Sequence, residues 1–248
     1  MAAQGGSELT ERRISLLVHG EAGTGKSRLA GSAPGPRLIL DAEGGAAEFL
    51  PGHKVNWDPA GPLPEATTDT SVIVTVRDWG TIEQVYRVLL SGQHYFETVI
   101  WDSVTEIQEK CKKAIEAANG GSMTQNLWGS LYDKMADKIK EFRDLRLAPC
   151  PKPVHTVFVA ISVNKDGRWK ADVQGSLVRK LPGWVDVVGY LKVMGNPQGG
   201  LSRILAIQPL GDYDAKDRTS DPSLTERFGN AVLDPNMAQI CAVLRGEM

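Results

Sequence analysis

Residues 20–27 read Gly20-Glu21-Ala22-Gly23-Thr24-Gly25-Lys26-Ser27, and this stretch narrows the choice of fold more than any other in the chain. Upstream, residues 14–18 form a short apolar run that ends against glycine, as a buried parallel strand does when it enters a turn. Downstream, a helix is expected to begin near Lys26. Strand, glycine-rich turn and helix in that order make a phosphate loop. The glycines let the backbone bend tightly enough for its N–H groups, from Gly20 to Arg28, to surround an anion. The helix N-terminus adds partial positive charge, Lys26 can reach β- and γ-phosphate oxygens, and Ser27 can ligate Mg²⁺. The expected ligand is Mg-ATP, bound by Gly20, Glu21, Ala22, Gly23, Thr24, Gly25, Lys26, Ser27 and Arg28.

Acids at the ends of apolar runs supply the next signals. Residues 98–101 are apolar and lead into Asp102 and Ser103. A carboxylate where a parallel strand leaves the sheet stands among the ligands that open α/β sheets collect, so Asp102 fits a Walker B acid holding Mg²⁺ opposite Ser27. The plainer alternative makes Asp102 the N-cap of the next helix, a position Ser103 could fill as well. Asp41 and Glu43 follow the apolar residues 38–40. Glu43 could act as general base or orient water for attack on the γ-phosphate, whereas Asp41 suits a structural cap.

Other strand candidates are residues 37–40, 71–76 and 155–161, with helical stretches between them. Residues 103–147 read as two helices broken at Asn119-Gly120-Gly121-Ser122. Residues 185–194 and 202–208 flank the turn-forming Gly195-Asn196-Pro197-Gln198-Gly199-Gly200, which reads as an antiparallel hairpin. Residues 209–222 form a charged loop, and 236–245 a closing helix. The expectation is an α/β fold: a mostly parallel sheet with helices on both faces and a hairpin near the C-terminus. It occupies one domain over residues 13–246, after a flexible N-terminus at 1–12.

With a net charge of −2, the chain is no basic nucleic-acid coat, and any such site must be local. The local candidate lies at residues 164–183, where Lys165, Arg168, Lys170, Arg179 and Lys180 outnumber Asp166 and Asp172 and Trp169 offers a stacking face. Cations tracking phosphates beside an aromatic make a single-strand groove; a hairpin with solvated charges is the alternative. Cys111, Cys150 and Cys241 are too far apart for a metal or disulfide framework and read as free thiols. The histidines lack partners at metal-ligand spacing, and His94 sits among polar neighbours in sequence. Trp128, Tyr132 and Met135 share helical spacing and suit core or subunit contact. No apolar run is long enough for a signal peptide or membrane span, so a cytoplasmic location is expected.

The succession of phosphate loop, strand ending in Asp41-Ala42-Glu43 and strand ending in Trp101-Asp102-Ser103 resembles the RecA/KaiC/DnaB group. The resemblance implies a RecA-like P-loop core in which Glu43 polarises the attacking water. Lys216-Asp217-Arg218, after the late hairpin, is similar to the K-x-R finger of ring-forming members, in which lysine and arginine complete a neighbour's site. That implies a homo-oligomer with ATP sites at subunit interfaces and catalytic roles for Lys216 and Arg218. The segment beginning at Asn164 occupies the position of a loop that contacts single-stranded DNA. More narrowly, Asp41-Ala42-Glu43-Gly44-Gly45 and Gly211-Asp212-Tyr213-Asp214-Ala215-Lys216-Asp217-Arg218 resemble bacteriophage ATPases of the AAA type or of the Sak single-strand annealing type. That implies an Mg-dependent, DNA-stimulated ATPase promoting annealing or strand exchange in phage recombination. A P-loop kinase, which would want an arginine-rich lid, and a regulatory module whose ATP binding drives assembly are the competing readings.

Overall fold

Glycine at 20 ends β1 (Ser15–Gly20), the strand around which the other elements assemble in a computed structural model describing residues 12–147, 149–197, 199–220 and 223–247. The chain continues through α1 (Lys26–Ala30), β2 (Arg37–Asp41), α2 (Ala46–Phe49), β3 (His53–Asn56), β4 (Thr70–Thr75), α3 (Trp79–Ser91), β5 (Thr98–Asp102), α4 (Val104–Ala118) and α5 (Gln125–Asp144). Then come β6 (His155–Lys165), β7 (Arg168–Ala171), α6 (Leu177–Trp184), β8 (Val187–Gly195), β9 (Leu201–Ala206), β10 (Lys216–Asp217), α7 (Leu224–Phe228), β11 (Ala231–Leu233) and α8 (Met237–Leu244). The expected N-terminal flexibility falls almost wholly on residues 1–11, outside the described residues.

Strand order across the sheet is β11-β9-β8-β1-β6-β5-β2-β4-β3, parallel from β8 to β3. β9 and β11 continue it antiparallel, so the expected hairpin is β8–β9, with β8 paired directly to β1. This is the expected α/β fold with a mostly parallel sheet. Alternate side chains of each strand point to opposite faces, which explains two apolar layers. Leu17, Leu40, Trp101 and Phe158 meet α3 to α6 on one face. Leu16, Val18, Ile39, Ile100 and Val159 meet α1, α7 and α8 on the other. Strands buried on both faces therefore read as unbroken apolar runs rather than alternating ones.

Several short elements escaped the sequence reading, β3, α6, β10, α7 and β11 among them. β3 is short and largely exposed, so its residues carry no apolar signal. α6 contains Pro182, a residue that disfavours helix interiors and here falls in the last turn. Among the described residues no helix is long and apolar enough to cross a membrane. The three cysteines are free thiols, Cys111 and Cys241 buried and Cys150 half-buried.

Candidate active site

The site lies at the carboxyl ends of β1, β2 and β5. Parallel register places Asp41 opposite Asp102, and the Ala42 N–H donates to the Asp102 carbonyl (2.7 Å), so the two acid-bearing strands end side by side. Between β1 and α1 the loop turns through Gly23 and Gly25, whose φ angles of 78° and 94° are left-handed. Gly20 is required for another reason: a Cβ there would stand 2.4 Å from the Leu191 carbonyl oxygen of β8. Lys26 is buried, and its Nζ donates to the Glu21 carbonyl at 2.8 Å. Burial lowers its pKa, against the nearby carboxylates of Glu43 and Asp102.

Asp102 is 4% exposed, and burial lifts its pKa to about 6, with the Ser27 hydroxyl donating to it and holding it down in part. The N-cap of α4 is Ser103, whose Oγ accepts from the Glu106 N–H, so the Asp102 carboxylate remains directed to Ser27. The Ser103 Oγ also donates to Glu43 Oε1 at 2.6 Å. That bond aims an exposed carboxylate from the β2 end into the same space. Asp41 takes the structural part: its two oxygens accept from the Gly44 and Ala46 N–H groups.

Ala22, Gly23, Gly25, Lys26, Ser27, Arg28, Glu43 and Asp102 thus line one cavity of about 380 Å³. Ile161 and Arg203 line it with them. Arg203, from β9, was missed by sequence reasoning, and no local pattern around it could have drawn attention to it. Magnesium fits the donor set. Ser27 and Asp102 offer one hydroxyl and one buried carboxylate, and Mg²⁺ commonly takes one or two protein oxygens alongside phosphates and waters. No cluster of three or more histidines, cysteines or acids that could hold a metal by itself occurs among the described residues.

The remaining candidates lie apart from this cavity. Lys216 Nζ donates to the carbonyls of Pro182 and of Val185, the latter at 2.7 Å, and Arg218 donates to those of Gly183 (3.0 Å) and Val185 (2.9 Å). Both cations therefore close the C-terminal end of α6 in their own chain. Burial, with Arg218 beside it, lowers Lys216 to about 8. The basic segment is split in two. Lys165, Arg168, Trp169 and Lys170 sit on the hairpin β6–β7, turned by Asp166 and Gly167 with positive φ, while Arg179 and Lys180 sit on α6. Arg168 donates to Asp214 Oδ1 at 2.6 Å, Trp169 faces Tyr190 at 6.4 Å, and Lys180 lies over the Tyr132 ring.

A hydrogen-bonded chain joins the hairpin base to the phosphate loop. His19 Nε2 donates to the Asp214 carbonyl (2.6 Å), which leaves Nδ1 to accept from the Ser162 hydroxyl (2.8 Å). Burial lowers the His19 pKa, against the Asp214 carbonyl, and so favours the neutral ring that this arrangement calls for.

No curated protein matches the sequence. Among solved structures, a prototypical ATPase from the type III secretion system of pathogenic bacteria is similar at a TM-score of 0.49 and 13% identity, over 72% of this chain and 52% of that one. The present chain thus spans about half that ATPase's length. A family model described as AAA domain matches residues 12–219, the span that holds the phosphate loop, Glu43, Asp102 and the hairpin strands. With that match over most of its length and this site at the sheet's carboxyl edge, the chain belongs to the AAA domain family of P-loop ATPases.

Proposed function

We propose that this protein hydrolyses Mg-ATP in the cavity bounded by Lys26, Ser27, Asp102 and Glu43. The observation carrying the reading is the Ser103–Glu43 bond of 2.6 Å, which directs an otherwise exposed carboxylate toward the phosphate loop. With Oε1 engaged by Ser103, Glu43 Oε2 is left to accept a proton from water or to align it for in-line attack. Lys26 places a point charge on the β- and γ-phosphates. Ser27 and Asp102 would hold Mg²⁺, which when bound neutralises charge on the phosphate oxygens. Phosphate release and ATP binding test the assignment together. Lys26→Ala is expected to abolish turnover and weaken binding, and Glu43→Gln to keep binding while lowering turnover by about 10²-fold or more. If Glu43→Gln loses binding and turnover in step, Glu43 is structural.

A second reading, single-stranded DNA binding coupled to this hydrolysis, as annealing or strand exchange requires, is favoured by the register of β6. Its first residues pair with β1 and β5 up to Ile161, whereas residues 162–165 pair only with β7. The hairpin therefore continues beyond the carboxyl edge on the side of the nucleotide site, bringing Lys165 and Lys170 with it. Replacing both by alanine should weaken binding of a labelled single strand and reduce its log–log salt slope by about 0.7 per lost phosphate contact. An unchanged slope across a salt series returns these lysines to solvated charges.

A further inference from the structure

Three cations of the C-terminal half are already committed to protein acceptors. Lys216 and Arg218 hold α6 carbonyls and Arg168 holds Asp214. Arg203 is placed differently. Its Nε donates to the Thr24 carbonyl at 3.1 Å, and the guanidinium lies so close to the loop that a Cβ on Gly25 would stand 2.7 Å from Nε. The side chain lines the phosphate-loop cavity beside Lys26, Ser27 and Arg28. Among the described residues its two terminal nitrogens have no hydrogen bond and the group has no ion pair.

The backbone beneath this side chain is pinned. The Arg203 N–H donates to Asp234 Oδ1 (2.8 Å), the Asp234 N–H donates back to the Arg203 carbonyl (2.7 Å), and Arg203 pairs with Val193 across the hairpin. β9 lies on the β8 side of β1, whereas Asp102 and Glu43 come from the β5 and β2 side. The loop is thus flanked by a cation on one side and by carboxylates on the other. A guanidinium that spends one N–H on the loop and keeps its two-pronged end for the cavity has the geometry for phosphate oxygens.

We propose that Arg203 is a nucleotide-binding residue that contacts the phosphates in cis, supplying a second fixed positive charge beside Lys26. The inference rests on the nucleotide-binding reading above. Because Arg203 meets the loop at Thr24 and Gly25, where loop amides cradle the phosphates nearer the nucleoside, its contribution is shared by ATP and ADP.

Isothermal titration of the full chain with Mg-ATP and Mg-ADP tests this on the wild type, Arg203→Ala, Arg203→Gln and Arg203→Lys. Glutamine can still donate to the Thr24 carbonyl but carries no charge. Both the alanine and glutamine variants are expected to bind either nucleotide about 10- to 100-fold more weakly, the range for a lost charge-assisted hydrogen bond, and lysine to recover part of the loss. If glutamine binds as the wild type does, Arg203 only steadies the loop and the proposal is overturned. Wild-type affinity in Arg203→Ala overturns it equally. A wild type that binds neither nucleotide sinks the nucleotide-binding reading itself, a result distinct from both. Melting curves without nucleotide show which variants are folded; should alanine unfold the chain, glutamine and lysine carry the test.

Discussion

His155 shows how much a single buried group contributes. It is 1% exposed, its Nδ1 accepts the Ile14 N–H at 3.2 Å, and burial, with Arg13 and Arg245 nearby, lowers its pKa to about 3. Between about pH 3 and pH 6.5, folded His155 is therefore neutral where unfolded His155 would take a proton. Stability from this group is present above pH 6.5 and is lost as pH falls toward 3, by on the order of 2 kcal/mol at pH 5. In His155→Gln, whose amide oxygen can accept the same N–H, that loss is absent. Urea melts should show the stability gap between wild type and variant narrowing from pH 7 to pH 5; a constant gap would mean that His155 does not titrate. His94 carries a correction. Its sequence neighbours suggested polar surroundings, but it is 8% exposed, stacks on Phe96 at 5.7 Å and is held near pKa 4 mainly by burial. Gln93 beside it is exposed, whereas the His94 ring is buried.

The element that most changes the sequence reading is β10 with the residues after it. Extended backbone places Lys216 and Arg218 on one side and Asp217 on the other. Asp217 Oδ2 accepts the Thr225 N–H at the start of α7, and the two cations take the carbonyls that end α6. Helix C-termini leave carbonyls without partners inside the helix, and buried ones must be satisfied. Lys216→Ala with Arg218→Ala is therefore expected to lower stability by about 1–3 kcal/mol, through lost hydrogen bonds to charged donors. Thermal melting and phosphate release on the same samples measure it. Lost turnover at an unchanged melting temperature would instead assign the pair to a neighbour's site, as the resemblance to ring-forming ATPases implies.

At the scale of the molecule, the site exists because β1 lies between β8 and β6. From one side β8 and β9 bring Leu191 and Arg203 to the loop, and from the other β5 and β2 bring Asp102 and Glu43. A ligand in this cavity touches segments far apart in the chain and stabilises only the state in which they meet. Mg-ATP at about 100 times its dissociation constant should add about 2.7 kcal/mol. For a chain of this size that raises the melting temperature by about 5–10 °C. Lys26→Ala should abolish most of the rise. An equal rise in that variant would place ATP elsewhere.

Sequence alone determined the features carried by contiguous residues. The phosphate loop depends on backbone angles that glycine permits locally, so its pattern could be read from eight residues. The buried parallel strands show as apolar runs because each strand is covered on both faces. Asp102 could be picked out because it ends such a run, and Glu43 because it follows one within a few residues. Tertiary structure decided everything that depends on which distant segments pack together. Examples are the Ser103 bond that aims Glu43, the approach of Arg203 to Thr24, the use of Lys216 and Arg218 to close α6, and the packing of Trp169 toward Tyr190. A charged side chain in sequence carries a reach but no direction. Only the sheet order and the packing of helices on it select the carbonyl, carboxylate or phosphate loop that the side chain meets.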